Sequence, residues 1–292
     1  MARLFALLLA ALLLPLPARA TLVVLVPLAD GLVVAADSRM SFMGSECDGA
    51  FKIVELARHA RTVVMVTGDS IFLKPPAAGE TDICHYVESA PRMLDVASVV
   101  QNYLDQHAAD PARLPLEDLG AVCVRAVERF RQSNPATFEG YAGKEIFSVI
   151  VASYDPASRV ATLRNFVVRV DAGAGKAGTH RIEAARFSSI AVKPKDRRGV
   201  WIYGETAYVE KNVFAGFGRQ YLSATTLDFI RANQPVGDAP LSQAVAVAVN
   251  VIEATSRTTE KIPAPSGIGG PIRAVLLGNK PRPEPLVWAA QH

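Results

Sequence analysis

Five residues in the first quarter of the chain carry groups that together could hydrolyse an amide bond: Thr21, Asp37, Arg39, Lys52 and Gly68. Thr21 follows Ala18-Arg19-Ala20, which has the small-x-small form that a signal peptidase cuts. Cleavage after Ala20 would give Thr21 a free α-amino group. The ordinary pKa of such an amine is about 7.7–8.0, against about 10.4 for lysine, so it is the better base for the threonine hydroxyl at neutral pH.

The other four residues supply what such a nucleophile needs. Lys52 would place a positive charge close to the hydroxyl, and a buried lysine needs a carboxylate, for which Asp37 is the natural partner. We expect Asp37 and Arg39 to order Lys52 together. Gly68, in "VTGD", is predicted at a strand-to-helix turn, where its backbone N–H could stabilise an oxyanion. The alternative is a turn ion pair between Asp37 and Arg39, with Lys52 a solvated strand residue.

The first 20 residues have the three parts of a secretory signal. Arg3 gives a positive n-region, residues 4–14 an apolar h-region, and Ala20 ends the cleavage site. No stretch reaches the roughly 18 apolar residues of a membrane span. We therefore predict a signal peptide over 1–20, one domain over 21–292, and a secreted or periplasmic protein that is off the membrane after cleavage. A retained membrane anchor is the alternative.

Composition narrows the classes of function. Half of the 292 residues are hydrophobic, so a large core is available, and the net charge of +3 with interspersed signs does not suggest a nucleic-acid partner. The histidines and cysteines lack metal-ligand spacing, so we predict no metal and no cofactor. Two of the three cysteines (Cys47, Cys84 and Cys123) could pair in an oxidising compartment, and the sequence does not choose the pair. Cys123 lies in an apolar helical pattern that favours a buried thiol.

The order of predicted elements is strands, two helices, strands, two helical regions and a final strand. Two β-branched runs flank Asp30-Gly31 and predict a hairpin. Apolar spacing predicts helices over 86–107 and 115–134, and residues 205–233 are read as mostly helical. Segregated blocks of this kind indicate an α+β fold of two antiparallel sheets packed face to face, with helices on both outer faces.

Thr21 together with "GLVVAADSR", "FKIVE" and "VTG" resembles the N-terminal portion of proteasome-type β subunits, which are N-terminal nucleophile hydrolases. The resemblance is clear over about 50 residues and patchy beyond. It implies a four-layer αββα sandwich, Thr21 as nucleophile, a peptide or amide substrate, and assembly into a homo-oligomer, either a ring or a smaller form. The family usually exposes its threonine by removing a propeptide, whereas the residues here predict that a signal peptidase would expose Thr21.

Two later positions depart from that family. Its S-G element would fall at Tyr203-Gly204, and its D-x-x-S-G-G element would place Ile268 before two glycines. Thr259, Glu260 and Ser266 are the candidates to substitute for the missing groups. The leading hypothesis is an exported threonine hydrolase that acts through an acyl-enzyme. The alternatives are a catalytically weak or inactive secreted scaffold and an amidohydrolase for small amides.

Overall fold

The computed structural model describes the backbone of residues 16–20 and residues 22–50, 52–76, 79–107, 110–171, 180–232, 234–264 and 267–286. The strands are β1 Leu16–Ala20, β2 Leu22–Leu28, β3 Gly31–Asp37, β4 Met40–Phe42, β5 Ser45–Cys47, β6 Ile53–Glu55, β7 Thr62–Leu73, β8 Arg92–Asp95, β9 Glu145–Asp155, β10 Val160–Val170, β11 Ile182–Val192, β12 Trp201–Gly204, β13 Ile272–Leu277 and β14 Glu284–Pro285. The α-helices are α1 Ile83–Ser89, α2 Val96–His107, α3 Leu116–Ser133, α4 Thr206–Tyr208, α5 Ala224–Arg231 and α6 Leu241–Thr259.

These strands form two antiparallel sheets. The first runs β11-β10-β9-β7-β1-β4-β5, with β6 and β8 also paired to β7, and the second runs β12-β2-β3-β13-β14. The predicted hairpin is confirmed, because β2 and β3 pair from Val23 opposite Ala36 to Leu28 opposite Gly31. Both strands of this hairpin are buried along their whole length, as expected of a sheet that is covered on both faces.

Three apolar clusters pack the two sheets and their helices together, and two of them contain the residues of this hairpin. One lies between the sheets and includes Leu25 and Val34 of the second sheet with Met65 and Ile150 of the first. Another packs α2 and α3 onto the opposite face of the first sheet. In the third cluster, α6 and the preceding helical segments pack onto the other face of the second sheet. The chain is thus a mixed α+β protein of antiparallel sheets and helices.

The structure corrects the local setting of Gly68. This residue lies inside β7, which continues to Leu73, rather than at a strand-to-helix turn. The strand continues because Phe72 and Leu73 are fully buried and β8 pairs with this end of β7. The "GD" pair after Thr67 is typical of a turn, but tertiary packing overrides that local preference.

Among the other predicted elements, one helix is wrong in detail, the mostly helical region over 205–233 is confirmed, and one strand was not predicted. The helix expected over 86–107 is interrupted at Pro91, where β8 separates α1 from α2. The helical region expected over 205–233 consists of α4, a π-helical turn Val209–Phe214, a 3-10 helix Phe217–Tyr221 and α5. β11 was not predicted, because its largely exposed or half-buried residues show no clean alternation of apolar and polar side chains. The helix expected over 115–134 is confirmed as α3.

Within the described ranges, we find no helix that is both long and apolar enough to cross a membrane.

Candidate active site

The chain passes from one sheet to the other at residue 21. Ala20 ends β1, where it is paired with Gly68 of β7, and Leu22 begins β2, where it is paired with Gly204 of β12. Thr21 itself lies outside the described residues, so its predicted role as nucleophile stays a prediction. Its neighbours Ala20 and Leu22 are described, and the other four predicted site residues can be placed relative to them.

Asp37 accepts three hydrogen bonds at the crossing. Its Oδ1 accepts from Lys52 Nζ at 2.6 Å and from the backbone N–H of Leu22 at 3.1 Å, and its Oδ2 accepts from the N–H of Gly269 at 3.1 Å. The carboxylate is held at the end of β3 and is 1 % exposed. Asp37 therefore ties the residue after Thr21 to the lysine and to the chain just before β13.

Lys52 is a buried cation beside this carboxylate. The residue is 5 % exposed and precedes β6, whose Ile53 pairs with Met65 of β7. Burial lowers the pKa of Lys52, and the charge of Asp37 and its hydrogen bond oppose that shift. The pairing of Lys52 with Asp37 is as predicted, and the alternative of a solvated lysine is wrong.

Gly68 brings two backbones close together. Its φ is +89°, and a Cβ built there would lie 2.7 Å from the carbonyl oxygen of Ile146 and 2.9 Å from Phe147 Cα. Phe147 of β9 is its partner on one side and Ala20 its partner on the other. Only glycine fits this position without displacing β9, and the position borders the 20–21 bond.

Arg39 does not contact Lys52, which corrects the expectation that it helps to order the lysine. Its Nε donates to Asp48 Oδ1 at 2.9 Å and its Nη1 donates to Glu46 Oε2 at 2.8 Å. β3 ends at Asp37, and the chain turns through Ser38 before β4. The side chains of Asp37 and Arg39 therefore contact different partners. Arg39 belongs to a partly exposed cluster at the rim of the site.

The turn before β13 links the rim to Asp37. The carbonyl of Gly269 accepts from the N–H groups of Ser38 and Arg39, while the N–H of Gly269 donates to Asp37. Gly269 and Gly270 have positive φ, and a Cβ on Gly270 would lie 2.5 Å from Asp48 Oδ1. Gly269 was missed as a partner of Asp37, although the Gly-Gly pair in "GIGGPIRAVLLG" signals a tight backbone approach.

The two positions at which the sequence departs from proteasome-type β subunits, Tyr203 and Ile268, lie among apolar residues. Ile268 is fully buried in the cluster between the second sheet and its helices, and Tyr203 is half-buried on β12, where burial raises the pKa of its phenol. Of the suggested substitutes, Thr259 donates its hydroxyl to the carbonyl of Ser256. Glu260 is the residue that ends α6, and Ser266 lies outside the described residues.

A disulfide joins Cys47 of β5 to Cys84 of α1. It ties the β4–β5 hairpin, which carries Glu46 at the rim, to the helix that packs beside it. Cys123 is free and buried in α3, as its apolar pattern predicted, and burial raises the pKa of its thiol to about 12. The described residues contain no group of three or more potential metal ligands.

Residues 16–20 form an extended strand along β7, and the last two of them also pair with β4. β1 is antiparallel to both neighbours, with Arg19 opposite Ser41 and Asp69, and Ala20 opposite Met40 and Gly68. The predicted cleavage site is thus paired within a sheet in the uncut chain. The groove, defined as the edge of β7 along which residues 16–20 lie, thus holds an extended segment whose last residue, Ala20, is opposite Gly68.

No protein-family model and no curated protein matches the chain. Solved structures do match. One is the helical assembly of the Anbu complex from Pseudomonas aeruginosa, at 16% identity over 93% of this chain and 88% of that chain, with a TM-score of 0.49. Another is Anbu, an ancestral beta-subunit, from Yersinia bercovieri, at 14% identity over 88% and 81% of the two chains, with a TM-score of 0.45. A Gly-1 mutant of Anbu from Hyphomicrobium sp. strain MC1 matches at 16% identity over 93% and 88%, with a TM-score of 0.46.

These matches correct the family that the sequence suggested. The structures that match are Anbu proteins, which are proteasome-like but distinct, and not proteasome-type β subunits with a signal peptide in place of a propeptide. The short motifs behind that resemblance encode a hairpin, a buried ion pair and a close backbone approach. Such features do not separate one branch of related folds from another.

Proposed function

We propose that the protein hydrolyses amide bonds with Thr21 as an N-terminal nucleophile. The observation that carries this proposal is the buried Lys52–Asp37 pair, which lies where the chain crosses between the sheets at residue 21. Burial of a lysine costs desolvation free energy even when a carboxylate is its partner, and a need for a fixed positive charge at this place would account for that cost. Asp37 also binds the N–H of Leu22, so the same carboxylate positions the charge and the start of β2.

The proposed reaction begins with attack of Thr21 Oγ on the carbonyl carbon of the substrate. The hydroxyl proton passes to the Thr21 amine, and Lys52 favours the alkoxide that forms. The Gly68 N–H is proposed to donate to the oxyanion. The proton then passes from the Thr21 amine to the leaving amine as the C–N bond breaks, which gives an ester on Thr21. Water attacks this ester, its proton returns to Oγ, and the acid product leaves.

An extended peptide is the proposed substrate class, in preference to a small amide. The support is β1, because its five residues pair with β7, its last two also pair with β4, and Ala20 is opposite Gly68. Addition of a strand between two strand edges provides main-chain hydrogen bonds along a peptide, which a small amide would not use. A panel in which small amides were cleaved and peptides were not would favour the small-amide reading.

We further propose that residues 1–20 are removed on export, which would free both the Thr21 amine and the groove. The Cys47–Cys84 disulfide supports an oxidising compartment outside the cytosol. The three apolar clusters support a four-layer αββα arrangement. A homo-oligomer is the proposed state of the mature chain, tested by light scattering of the purified protein.

The test uses the exported protein, a peptide epoxyketone and three forms of residue 21. The epoxyketone closes a ring with a hydroxyl and an adjacent free amine, so it reports both groups at once. We expect labelling and amide hydrolysis in the native protein, reduced activity in Thr21→Ser, and neither in Thr21→Ala. Hydrolysis that survives Thr21→Ala would overturn the proposal.

The second candidate is a non-catalytic secreted scaffold that keeps the fold and binds a partner. The observation that favours it is Ile268, a fully buried apolar residue where a hydroxyl is expected to help orient the amine and a water. Under this reading, the exported protein starts at Thr21 but the epoxyketone does not label it. The same experiment therefore separates the two candidates.

A further inference from the structure

Arg198 is a buried cation that lies outside the proposed active site. The residue is 7 % exposed, and its Cζ atom lies 4.6 Å from the centre of the Phe229 ring. Within the part of the chain that the structure describes, its buried Nε has no hydrogen-bond acceptor and its side chain forms no ion pair. An aromatic face attracts a cation but does not replace the hydrogen bonds that a guanidinium donates. Because a buried charge without a counter-charge is costly, an anion at this guanidinium would be strongly favoured.

The backbone that carries Arg198 is fixed in position. Residues 193–199, here called the basic loop, connect β11 to β12. The N–H of Arg198 donates to the carbonyl of Gln234 at 2.9 Å. The N–H of Val236 donates in turn to the carbonyl of Asp196 at 2.9 Å. The basic loop is thus held against the segment that precedes α6, and an anion that pairs with Arg198 meets a preorganised site.

The charges of the basic loop favour an anion that carries more than one negative charge. Lys193, Lys195 and Arg197 are exposed, and none of them forms an ion pair with another described residue. The single carboxylate of the loop, Asp196, accepts a hydrogen bond from the backbone N–H of Lys193 at 2.8 Å. The loop therefore has an excess of positive charge, which attracts a phosphate dianion more strongly than a singly charged carboxylate.

The burial of Arg198 limits the size of the ligand. Little of this side chain is exposed, so a long polyanion would contact mainly the exposed cations of the basic loop. A single oxyanion group is small enough to use the remaining opening. Two of its oxygens can accept parallel hydrogen bonds from one planar guanidinium.

The basic loop lies away from the crossing at residue 21. Along the pair of β12 and β2, Gly204 is opposite Leu22 and Trp201 is opposite Leu25. The residues before Trp201 therefore lie toward the Leu28 end of β2, whereas the crossing is at the other end. A ligand bound here would not need the proposed hydrolase site.

We infer that Arg198 and the basic loop form a binding site for a phosphate group, either the free ion or a small phosphate monoester. The Arg198 guanidinium donates two hydrogen bonds to phosphate oxygens and supplies the counter-charge at short range. The exposed cations of the loop add long-range attraction, which salt screens. This inference does not rest on amide hydrolysis.

The test titrates the purified protein with three anions by calorimetry at constant ionic strength. Inorganic phosphate and glycerol 3-phosphate should each bind with one site per chain, and acetate should bind at least 10-fold more weakly. Tighter binding of inorganic phosphate assigns the site to the free ion, and tighter binding of glycerol 3-phosphate assigns it to a monoester. Binding of neither phosphate compound, or equal affinity for acetate, would overturn the inference.

Arg198→Gln and Arg197→Gln are matched variants, because each removes one positive charge and the two positions are adjacent. Arg198 is buried and Arg197 is exposed, so the pair separates a built site from general attraction by the loop. Loss of hydrogen bonds to a charged ligand should weaken phosphate binding by about 10–100-fold in Arg198→Gln. Arg197→Gln should weaken it by less than about 3-fold, since the exposed charge is screened. Equal losses in the two variants would overturn the site.

Thermal unfolding provides the control for folding. A ligand that binds the folded chain raises its Tm, so phosphate should stabilise the native protein and Arg197→Gln but not Arg198→Gln. Arg198→Lys is the second variant in case Arg198→Gln does not fold, because it keeps the positive charge. It should bind phosphate about 10-fold more weakly than the native protein, since an ammonium lacks the two parallel N–H groups. An equal rise in Tm for all forms, or native affinity in Arg198→Lys, would contradict the assignment.

Discussion

Two ion clusters lie on either side of the tripeptide Asp37-Ser38-Arg39, and they differ in burial. The side chains of Lys52 and Asp37 are 2 % and 0 % exposed, whereas those of Arg39 and Glu46 are 28 % and 52 % exposed. Solvent screens the outer cluster, and exposed pairs contribute about 0–1 kcal/mol. The inner pair interacts at low dielectric, where loss of one partner is costly. The inner cluster therefore suits chemistry and the outer cluster suits shaping of the rim.

The largest expected effect comes from breaking the inner pair. Lys52→Met leaves Asp37 buried without its cation and should lower the free energy of unfolding by about 3–5 kcal/mol, with a loss of about 10²–10³-fold in kcat/KM. Asp37→Asn combined with Lys52→Met should recover part of the stability, because no buried charge is left unpaired, but none of the activity. Urea denaturation and peptide hydrolysis measure the two quantities. Recovery of activity in the double variant would show that the pair is structural only.

The disulfide should stabilise the outer region more than its ion pairs do. It closes a loop with a sequence separation of 37 residues, for which chain entropy predicts about 3–4 kcal/mol. Cys47→Ser with Cys84→Ser should lower the free energy of unfolding by that order, and Cys123→Ser is the control that keeps the bridge. Urea denaturation under non-reducing conditions makes the measurement. A change below about 1 kcal/mol would mean that the β4–β5 hairpin is held by its packing alone.

A comparison of two glycines with similar φ angles distinguishes the cost of the close backbone contact at Gly68 from the cost of backbone strain. Gly68 has φ +89° with backbone atoms within 3 Å of a built Cβ, while Gly44 has φ +81° and open space around it. Gly44→Ala should cost about 1 kcal/mol, from strain alone. Gly68→Ala should cost about 2–3 kcal/mol more and abolish hydrolysis, because β9 must move. Thermal unfolding of both variants tests this, and equal costs would contradict the close approach.

The pH dependence of hydrolysis should reflect the protonation state of Lys52 in the inner pair. The rate should rise as the Thr21 amine loses its proton, around its ordinary pKa of about 7.7–8.0. It should fall as Lys52 loses its proton, and because burial lowers that pKa, the fall should come below 10.5. In Lys52→Arg, any remaining activity should lack this alkaline fall, since a guanidinium stays charged. An alkaline limb at or above pH 10.5 in the native protein would contradict the assignment.

The smallest effect is expected at the rim. Arg39→Gln removes exposed ion pairs with Asp48 and Glu46 and should change the free energy of unfolding by less than about 1 kcal/mol. Activity should fall by less than about 10-fold, because Gly269 still donates to Asp37. Measurements at 50 mM and at 1 M salt should show a smaller difference at high salt. A loss as large as that of Lys52→Met would place Arg39 in the inner site.

The inner cluster could be predicted from the sequence because a buried charge can be paired with few other residues. A lysine in an apolar strand pattern needs a carboxylate, and the hairpin that ends at Asp37 supplies one. The partners of Arg39 could not be predicted, because Asp48 and Glu46 lie in a hairpin whose path depends on the Cys47–Cys84 bridge. Exposed pairs leave many equivalent arrangements, and the sequence does not choose among them.

The setting of Gly68 shows a different limit. "VTGD" was read as the end of a strand because glycine and aspartate favour turns. The strand continues because Phe72 and Leu73 are buried, and Asp69 is satisfied by Tyr141, which is 72 residues away. Long-range contacts of this kind do not appear in a local pattern.

Cleavage after Ala20 is proposed to create the nucleophile, and the N-terminal sequence with the intact mass of the exported protein tests this most directly. We expect a chain that begins at Thr21, gains the mass of one epoxyketone inhibitor, and loses this labelling in Thr21→Ala. A variant with a bulky residue at the cleavage site, Ala20→Phe, should keep its leader and show no labelling. An exported chain that begins at any other residue, or labelling of the uncut variant, would contradict the claim.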